Sequence, residues 1–299
     1  MRVYQPAGAP VFYGPREMRF GTRLYGVDPD AVVAKAVHAE ELGFDSIWRG
    51  DHLILPAQLS SRYPHSPSGR PPIEPGAPIL DVLTLYAYLA AETTRIKLAT
   101  GIFLLALRDP VVVARSVQTL DIVSGGRVIL GVAAGWLEDE FELAGRDFRN
   151  RGPATDAAIA LLQALWTEAE PVLDGRPARF EPKPVQKPHP PILGGGESMP
   201  ALRRAARLCD GWYGHRPSPG EVASTIAVLE RLREEAGRGE LPFELTVRIE
   251  PERVTRDDVA RYEEVGVDRL VAEIGKFDDV AALEDLETMT RFAEVVGLV

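Results

Sequence analysis

Length, composition and charge exclude several classes of protein. The chain has 299 residues, of which 45% are hydrophobic and 26% charged, and its formal net charge is −10. This mix is typical of a globular chain with a sizeable core, and its acidity argues against nucleic acid or an anionic membrane surface as a partner. No apolar run approaches the roughly 20 residues of a membrane span, and the single cysteine, Cys209, excludes an internal disulfide. We therefore expect a soluble cytoplasmic protein in which Cys209 is buried and inert.

Short apolar strands alternate with amphipathic helices from residue 18 onward. Strand patterns cover 18–24, 45–48, 95–102, 128–132, 191–194, 211–214, 245–249 and 269–272. Helical patterns lie between them over 29–42, 81–92, 110–124, 156–166, 200–209 and 221–236, and further helical stretches follow the last two strands. The first and third helices begin with an Asp-Pro pair, which supplies an N-cap and a proline at the first helical position.

This alternation predicts a parallel sheet with right-handed crossovers. Eight strands in one domain over 18–299 match a (β/α)8 TIM barrel, and an open doubly wound sheet is the alternative. Residues 1–17 have no hydrophobic period and are predicted to be an N-terminal extension. Residues 55–80 contain seven prolines and are too long for an ordinary connection, so we interpret them as an inserted loop over the site or as a disordered insertion.

Chemistry in such a barrel is expected just past the carboxyl ends of the strands. Asp51 and His52 follow the second strand directly, although a capped turn with a loop histidine is the simpler explanation of that pair alone. His215, after the strand over 211–214, is a weaker candidate. The five histidines have no metal-ligand spacing and there is no cysteine cluster, so no metal site is predicted.

A glycine run ends the strand over 191–194 and leads into a helix. Its glycines and the serine that follows are Gly194, Gly195, Gly196 and Ser198. Glycines allow backbone N–H groups to turn toward a ligand, and the helix adds the positive end of its dipole, so the run suits a phosphate. A flexible tight turn is an equally good reading of the run in isolation. The glycine motifs of dinucleotide-binding and P-loop proteins are absent.

Three runs of residues, in order, resemble the luciferase-like monooxygenase superfamily. The first is GFDSIWRGDH over 43–52. The second is DIVSGGRVILG over 121–131, followed by Gly135-Trp136 and Glu140-Phe141. The third is PILGGG over 191–196, which leads to DGW at 210–212. The Asp51-His52 pair and the loop over 63–72 look most like the branch that uses coenzyme F420. The branch that uses flavin mononucleotide (FMN) more often has Glu-His-His at that strand end.

The resemblance implies a barrel of the luciferase-like type with a deazaflavin across its C-terminal mouth. It implies that His52 is a proton donor, acceptor or orienting group, with Asp51 beside the ring or orienting His52. The residues that it places at the cofactor are Gly101, Ile102, Gly131, Gly135, Gly194, Gly195, Gly196 and Ser198. Related enzymes have a cis peptide behind the ring at the position of Gly101-Ile102, whereas Ala133 stands where many relatives have glycine.

The resemblance also implies partners and a reaction. Arg203, Arg204 and Arg207 are candidates to meet the anionic tail of the cofactor, and relatives suggest a homodimer. The expected activity is hydride transfer between coenzyme F420 and a small organic substrate. An FMN-dependent monooxygenase and a flavin-binding barrel without turnover are the alternatives. The apolar run over 103–107 hints at an apolar substrate pocket.

Overall fold

The computed structural model describes residues 18–63, 68–69, 73–275 and 283–299, so the predicted extension 1–17 and parts of the proline-rich loop lie outside the described residues. The strands are β1 (Arg19–Arg23), β2 (Ser46–Arg49), β3 (Lys97–Leu104), β4 (Val128–Ala133), β5 (Val172–Leu173), β6 (Arg176–Pro177), β7 (Ile192–Gly195), β8 (Gly211–His215), β9 (Glu244–Ile249) and β10 (Arg269–Ala272). The helices are α1 (Pro29–Glu41), α2 (Val82–Glu92), α3 (Pro110–Ser124), α4 (Glu138–Leu143), α5 (Arg151–Thr167), α6 (Met199–Leu208), α7 (Pro219–Glu235), α8 (Arg256–Glu264) and α9 (Leu283–Val296).

Eight parallel strands close into a barrel in the order β1-β10-β9-β8-β7-β4-β3-β2. The first and last strands pair over four residues, from Arg19 with Arg269 to Thr22 with Ala272. This closure confirms the predicted (β/α)8 barrel and rules out the open sheet. Each of the eight predicted strand patterns overlaps one barrel strand, because a strand buried on both faces is a near-continuous apolar run.

The helices pack their apolar faces on the outside of the barrel, and a second, smaller apolar layer fills its interior. That inner layer consists of Trp48, Ala99, Ile129, Leu193, Tyr213 and Val271. Below it, at the N-terminal end, the fully buried Arg269 bonds Asp45 through Nε and Nη2, at 3.0 and 2.9 Å, and also contacts Glu244. The lower end of the barrel is therefore held together by buried ion pairs, and the upper end is left for chemistry.

Helix starts follow the predicted signals. Asp28 caps α1 by accepting the Ala31 N–H at 2.8 Å, and Asp109 caps α3 in the same way. Helix α5 begins at Arg151, five residues before the predicted start. Pro153 then lies in the first turn, where a missing N–H costs no intrahelical bond.

Two small elements were not predicted. The hairpin of β5 and β6 turns at Asp174 and Gly175, whose φ values are +48° and +73°. An Asp-Gly pair with two positive φ angles is the usual signal for such a hairpin. Helix α4 has only six residues, too few to show a hydrophobic period.

Two predictions from composition can be compared with the fold. Cys209 is fully buried at the end of α6, as predicted, and burial raises the pKa of its thiol well above the usual range. Within the described ranges, no helix is both long and apolar enough to cross a lipid bilayer.

Candidate active site

The floor of the barrel mouth is an irregularity in β3. The pairing of β3 with β4 shifts between Thr100 and Phe103, and the Gly101-Ile102 peptide between them is cis, as the sequence resemblance implied. Ile102 extends across the mouth toward β7, where its Cγ2 lies 2.9 Å from the position that a Cβ on Gly195 would occupy. A side chain at residue 195 would therefore collide with Ile102.

Gly131 in β4 and Gly135 just after it are explained by contacts within the protein. A Cβ on Gly131 would lie 2.1 Å from the carbonyl oxygen of Thr100, so the bulged strand β3 occupies the space that a side chain would need. Gly135 has φ of +88°, a conformation that glycine adopts readily, and its Cβ position is 2.9 Å from Phe141. The need for glycine at both positions thus comes from chain packing, and their predicted contact with a cofactor stays a prediction.

His52 is held by a carboxyl group from another strand end. Its Nδ1 lies 2.8 Å from Oε2 of Glu140, whose side chain is fully buried on α4. The other oxygen of Glu140 accepts the backbone N–H of Leu53 at 2.6 Å. Because both oxygens of Glu140 act as acceptors, the hydrogen of His52 that faces Glu140 is carried on Nδ1. Sequence reasoning assigned no role to Glu140.

The side chain of Asp51 has different hydrogen-bond partners from that of His52. Its two oxygens are bound by Arg108, at 2.7 and 2.9 Å, and one of them also accepts the Leu104 N–H at 3.0 Å. Burial raises the pKa of Asp51, and the charge of Arg108 opposes this shift. Asp51 therefore fastens the end of β2 to the turn after β3, whereas the carboxyl group bonded to His52 is that of Glu140, and the predicted catalytic role of Asp51 stays a prediction.

Aromatic side chains bridge the mouth above this floor. The Trp136 ring contacts His52 edge-on, with centroids 6.4 Å apart, and also contacts Tyr63 at 5.0 Å. The Tyr63 ring in turn lies 6.5 Å from the ring of His215 on β8. Burial raises the pKa of the Tyr63 hydroxyl. Tyr63, in the proline-rich loop, thus lies between the two sides of the mouth.

Helix α4 anchors the first half of that loop. Asp139 accepts hydrogen bonds from Ser60, whose hydroxyl contacts it closely, and from the N–H and hydroxyl of Ser61, at 2.9 and 2.6 Å. Burial alone would raise the pKa of Asp139, but these bonds together outweigh it and lower the pKa to about 2. Consecutive carboxyl groups, Asp139 and Glu140, therefore hold the loop at two points.

The opposite side of the mouth, at the ends of β1, β8, β9 and β10, is charged. Glu273 accepts a hydrogen bond from Tyr25 at 2.8 Å and pairs with Arg216 and Arg248. Burial alone would raise the pKa of Glu273, but the charges of Arg248, Arg23 and Arg216 outweigh it and lower the pKa to about 2. His215, the weaker candidate, lies within this group and its ring contacts Arg248.

The glycine run lies at the end of β7, next to the start of α6. Gly194 lets the helix approach, since its Cβ position is 2.8 Å from Cβ of Ala205. Gly196 has φ of +108°, and Ser198 is the exposed N-cap of α6. Glu197 turns its carboxyl group away from the helix and accepts the His215 N–H at 2.6 Å. Of the first three residues of α6, Pro200 has no N–H and Ala201 donates its N–H to Ser198, so the predicted phosphate contact of this turn stays a prediction.

Some expected contacts are not formed. The Arg204 side chain is buried against α5, where Nη2 donates to the Gly152 carbonyl at 3.1 Å, so it does not face an anionic tail. Arg203 and Arg207 are exposed. The side chains of the apolar run lie in the core: Phe103, Leu104, Leu105 and Leu107 are all at most 3% exposed. The apolar pocket suggested for that run stays a prediction, with Leu104 and Leu107 packed against Phe141 and Ala106 partly buried beside them.

No group of three or more histidine, cysteine, aspartate and glutamate side chains is placed to hold a metal ion in the part of the chain that the structure describes.

Comparison with known proteins identifies the family. The model of the luciferase-like monooxygenase family matches residues 16–288. An uncharacterized protein of Mycobacterium tuberculosis is 35% identical over 255 residues, which is 84% of this chain and 87% of that protein. The chain therefore belongs to the luciferase-like monooxygenase family, whose members are oxidoreductases and monooxygenases.

Relatives and neighbours include both cofactor types. An F420-dependent glucose-6-phosphate dehydrogenase of Amycolatopsis mediterranei is 30% identical over 46% of this chain and 38% of its own. An FMNH2-dependent dimethylsulfone monooxygenase of Pseudomonas putida is 32% identical over 44% of this chain and 38% of its own. The fold resembles that of a solved F420-dependent secondary alcohol dehydrogenase in complex with an F420-acetone adduct, with a TM-score of 0.73. The two sequences are 18% identical, and the match covers 95% of this chain and 99% of that one.

Proposed function

We propose that this protein is a coenzyme F420-dependent oxidoreductase that transfers a hydride between the deazaflavin and a small organic substrate. The observation that carries the proposal is the buried His52–Glu140 pair at the strand ends, beside a floor made by the cis Gly101-Ile102 peptide. Its further support is the Asp51-His52 sequence and the presence of F420-dependent proteins among those similar to this chain.

The residues at the mouth fit a flat ring with an anionic tail. At the floor, Gly101 and Gly195 allow their neighbours to pack closely, and the partly buried Ile102 adds an apolar surface. The N-terminus of α6 beside Gly196 offers N–H groups and a positive dipole end, which suit a phosphate. A deazaflavin bound there supplies hydride chemistry.

His52 is the group that we assign to proton transfer. Alcohol oxidation or carbonyl reduction moves a proton along with each hydride, and a neutral imidazole has a lone pair to accept it. With Nδ1 bound to Glu140, the proton is exchanged at Nε2. The negative charge of Glu140 stabilises the imidazolium that forms, in a place where its fully buried side chain is shielded from water.

Tyr63 and Trp136 exclude water from this exchange. Their rings are in contact at 5.0 Å and lie between His52 and His215. Exclusion of water strengthens the electrostatic interactions inside the mouth and prevents loss of the transferred proton to solvent.

The test begins with the purified protein and each cofactor. Binding of F420 and of FMN is measured by absorbance and fluorescence titration, and turnover is then assayed with panels of secondary alcohols and carbonyl compounds. We expect tighter binding of F420 and F420-linked turnover that His52→Ala lowers about 10²-fold or more, as expected for loss of an acid–base group, with little change in cofactor affinity.

His38→Ala is the matched control. His38 lies on α1, bonds to Thr290 at 3.0 Å, and is remote from the mouth, so this variant should retain full turnover. Equal turnover of His52→Ala and the parent protein would remove His52 from the mechanism. Tighter binding of FMN, together with oxygen-dependent product formation, would favour the FMN-dependent monooxygenase instead. Binding without any turnover would indicate the non-catalytic alternative. The homodimer stays a prediction.

A further inference from the structure

The charged side of the mouth has more hydrogen-bond donors than acceptors. We call it the arginine cluster, and it consists of Arg23, Tyr213, Arg216 and Arg248 around Glu273. These residues come from the ends of β1, β8, β9 and β10, and they are close in space only because the barrel closes between β1 and β10.

Two guanidinium groups share one carboxylate oxygen. Oε2 of Glu273 accepts Nε and Nη2 of Arg216, at 3.0 and 2.6 Å, and lies 2.9 Å from Nε of Arg248. Oε1 is taken by the Tyr25 hydroxyl. The other acid beside Arg216 is Glu250, which also pairs with the exposed Arg253. Positive charge in the arginine cluster is therefore only partly neutralised by its carboxylates.

The Tyr213 hydroxyl is the buried donor of the arginine cluster that carries the argument, and two guanidinium nitrogens beside it form no hydrogen bond with the described residues. Arg23 donates through Nε to Tyr25 and through Nη1 to the Gly101 carbonyl, which leaves Nη2 without a partner. Arg248 contacts the His215 ring through Nη2, whereas its buried Nε lies 2.9 Å from Glu273 without the geometry of a hydrogen bond and its Nη1 forms none. The Tyr213 hydroxyl is buried and has no partner either. Buried donors in native proteins nearly always have acceptors, so a missing acceptor in a cleft indicates a ligand.

The burial and position of Arg23 and Tyr213 support a ligand at the arginine cluster. Arg23 is 4% exposed and Tyr213 is 5% exposed. Nη1 of Arg23 and Oη of Tyr213 each lie 3.0 Å from the Cβ position of Gly101, so both are at the floor of the mouth beside the cis peptide. Arg216 has φ of +57°, which is uncommon for a residue other than glycine and occurs most often at functional sites.

We propose that the arginine cluster binds an anionic oxygen group of the substrate, a carboxylate or a phosphate, through Arg248, Arg23 and the Tyr213 hydroxyl. Guanidinium groups suit this chemistry because they present paired N–H donors to two oxygens and remain charged. The substrate class rests on the proposed function, since it assumes that a substrate reacts at this mouth. The anion then lies across the mouth from His52, which leaves the reacting carbon of the substrate between them.

The first experiment measures anion binding to the cofactor-loaded protein. Inorganic phosphate and acetate are titrated by calorimetry into the parent protein, Arg248→Gln, Tyr213→Phe and the control Arg231→Gln. Arg231 lies on α7 with its side chain 65% exposed. We expect saturable binding that Arg248→Gln weakens at least 10-fold, Tyr213→Phe weakens several-fold and Arg231→Gln leaves unchanged. Equal affinity in all four proteins would overturn the proposal.

Tyr213→Phe keeps the test informative if Arg248→Gln fails to fold. It removes one oxygen that has no partner and retains the ring that stacks on Trp48 at 5.1 Å. Both variants should bind the cofactor as the parent does. A parallel loss of cofactor affinity in both would show that the arginine cluster holds the cofactor's own phosphate, and would also overturn the proposal.

The second experiment separates the substrate class from the proposed function. KM values are compared for hydroxy acids or phosphorylated alcohols and for their uncharged methyl esters or parent alcohols. Arg248→Gln should raise KM at least 10-fold for the anionic compounds alone. A preference of the parent protein for the uncharged compounds would refute the anionic substrate class. Saturable anion binding without F420-linked turnover of any compound would refute the proposed function and leave the anion site standing.

Discussion

Replacement of Glu140 by glutamine tests the His52–Glu140 pair most directly. The substitution keeps the size and shape of a fully buried side chain but removes its charge. If the new amide oxygen keeps the Leu53 N–H, which lies 2.6 Å from Oε1, then its NH2 group faces Nδ1 of His52. His52 must then carry its hydrogen on Nε2, so it presents a donor to the mouth where an acceptor was.

The size of the effect follows from the bond that is lost. A hydrogen bond to a charged group contributes about 1.5–3 kcal/mol, and the imidazolium formed during proton transfer loses that stabilisation. We therefore expect kcat for F420-linked turnover to fall about 10- to 100-fold. The affinity for F420 should change less than about threefold, because the pair acts on the proton and not on cofactor binding.

The assay is steady-state oxidation or reduction of F420, followed by absorbance across the pH range, with cofactor affinity measured in parallel. Glu142→Gln is the matched control, since Glu142 lies on the same helix and is exposed. A folded Glu140→Gln protein with the parent's kcat and pH profile would refute the reasoning. A loss of kcat in Glu142→Gln of the same size would point to the stability of α4 instead.

Two further predictions concern stability. Gly131→Ala should lower the free energy of unfolding by about 3 kcal/mol or more, because the new Cβ meets the Thr100 carbonyl at 2.1 Å. Gly220→Ala is the control: it has nothing within 4 Å of its Cβ and should be neutral or slightly stabilising. Both variants are compared by urea unfolding, and equal stability of the two would contradict the packing argument. The pKa of Glu273 is lowered from its ordinary value of 4.5 to about 2 in the folded protein. Its stabilising contribution, about 3 kcal/mol, is therefore present above pH 4.5 and is lost as the pH falls toward 2. The stability gap between the parent protein and Glu273→Gln, measured by urea unfolding from pH 6 to 3, should narrow over that range, and a constant gap would exclude the lowered pKa.

Much of the fold was determined by local sequence patterns. Strands buried on both faces are read as apolar runs, and Asp-Pro and glycine signals mark the helix ends, so the order of the eight units followed from the chain alone. The cis Gly101-Ile102 peptide was also anticipated, but through resemblance and not through physics. The errors were local: the start of α5, the Asp-Gly hairpin and the short helix α4.

The partners of the site residues were decided by the tertiary structure. Sequence reasoning placed Asp51 and His52 at one strand end and joined them because they are adjacent. In the fold they face different neighbours: Asp51 pairs with Arg108, and His52 pairs with Glu140, 88 positions along the chain. Successive residues of an extended segment point in opposite directions, so adjacency in sequence gives no contact between side chains.

The arginine cluster shows the same limit more strongly. Arg23 and Glu273 lie near opposite ends of the chain, and no periodic pattern connects them. They meet because β1 pairs with β10, and that pairing exists only once the barrel has closed. The sequence by itself therefore determined the strands, the helices and the edge at which chemistry occurs. Which charged groups face each other there was decided by barrel closure, because contacts between distant segments depend on the register of the whole sheet and not on any local pattern.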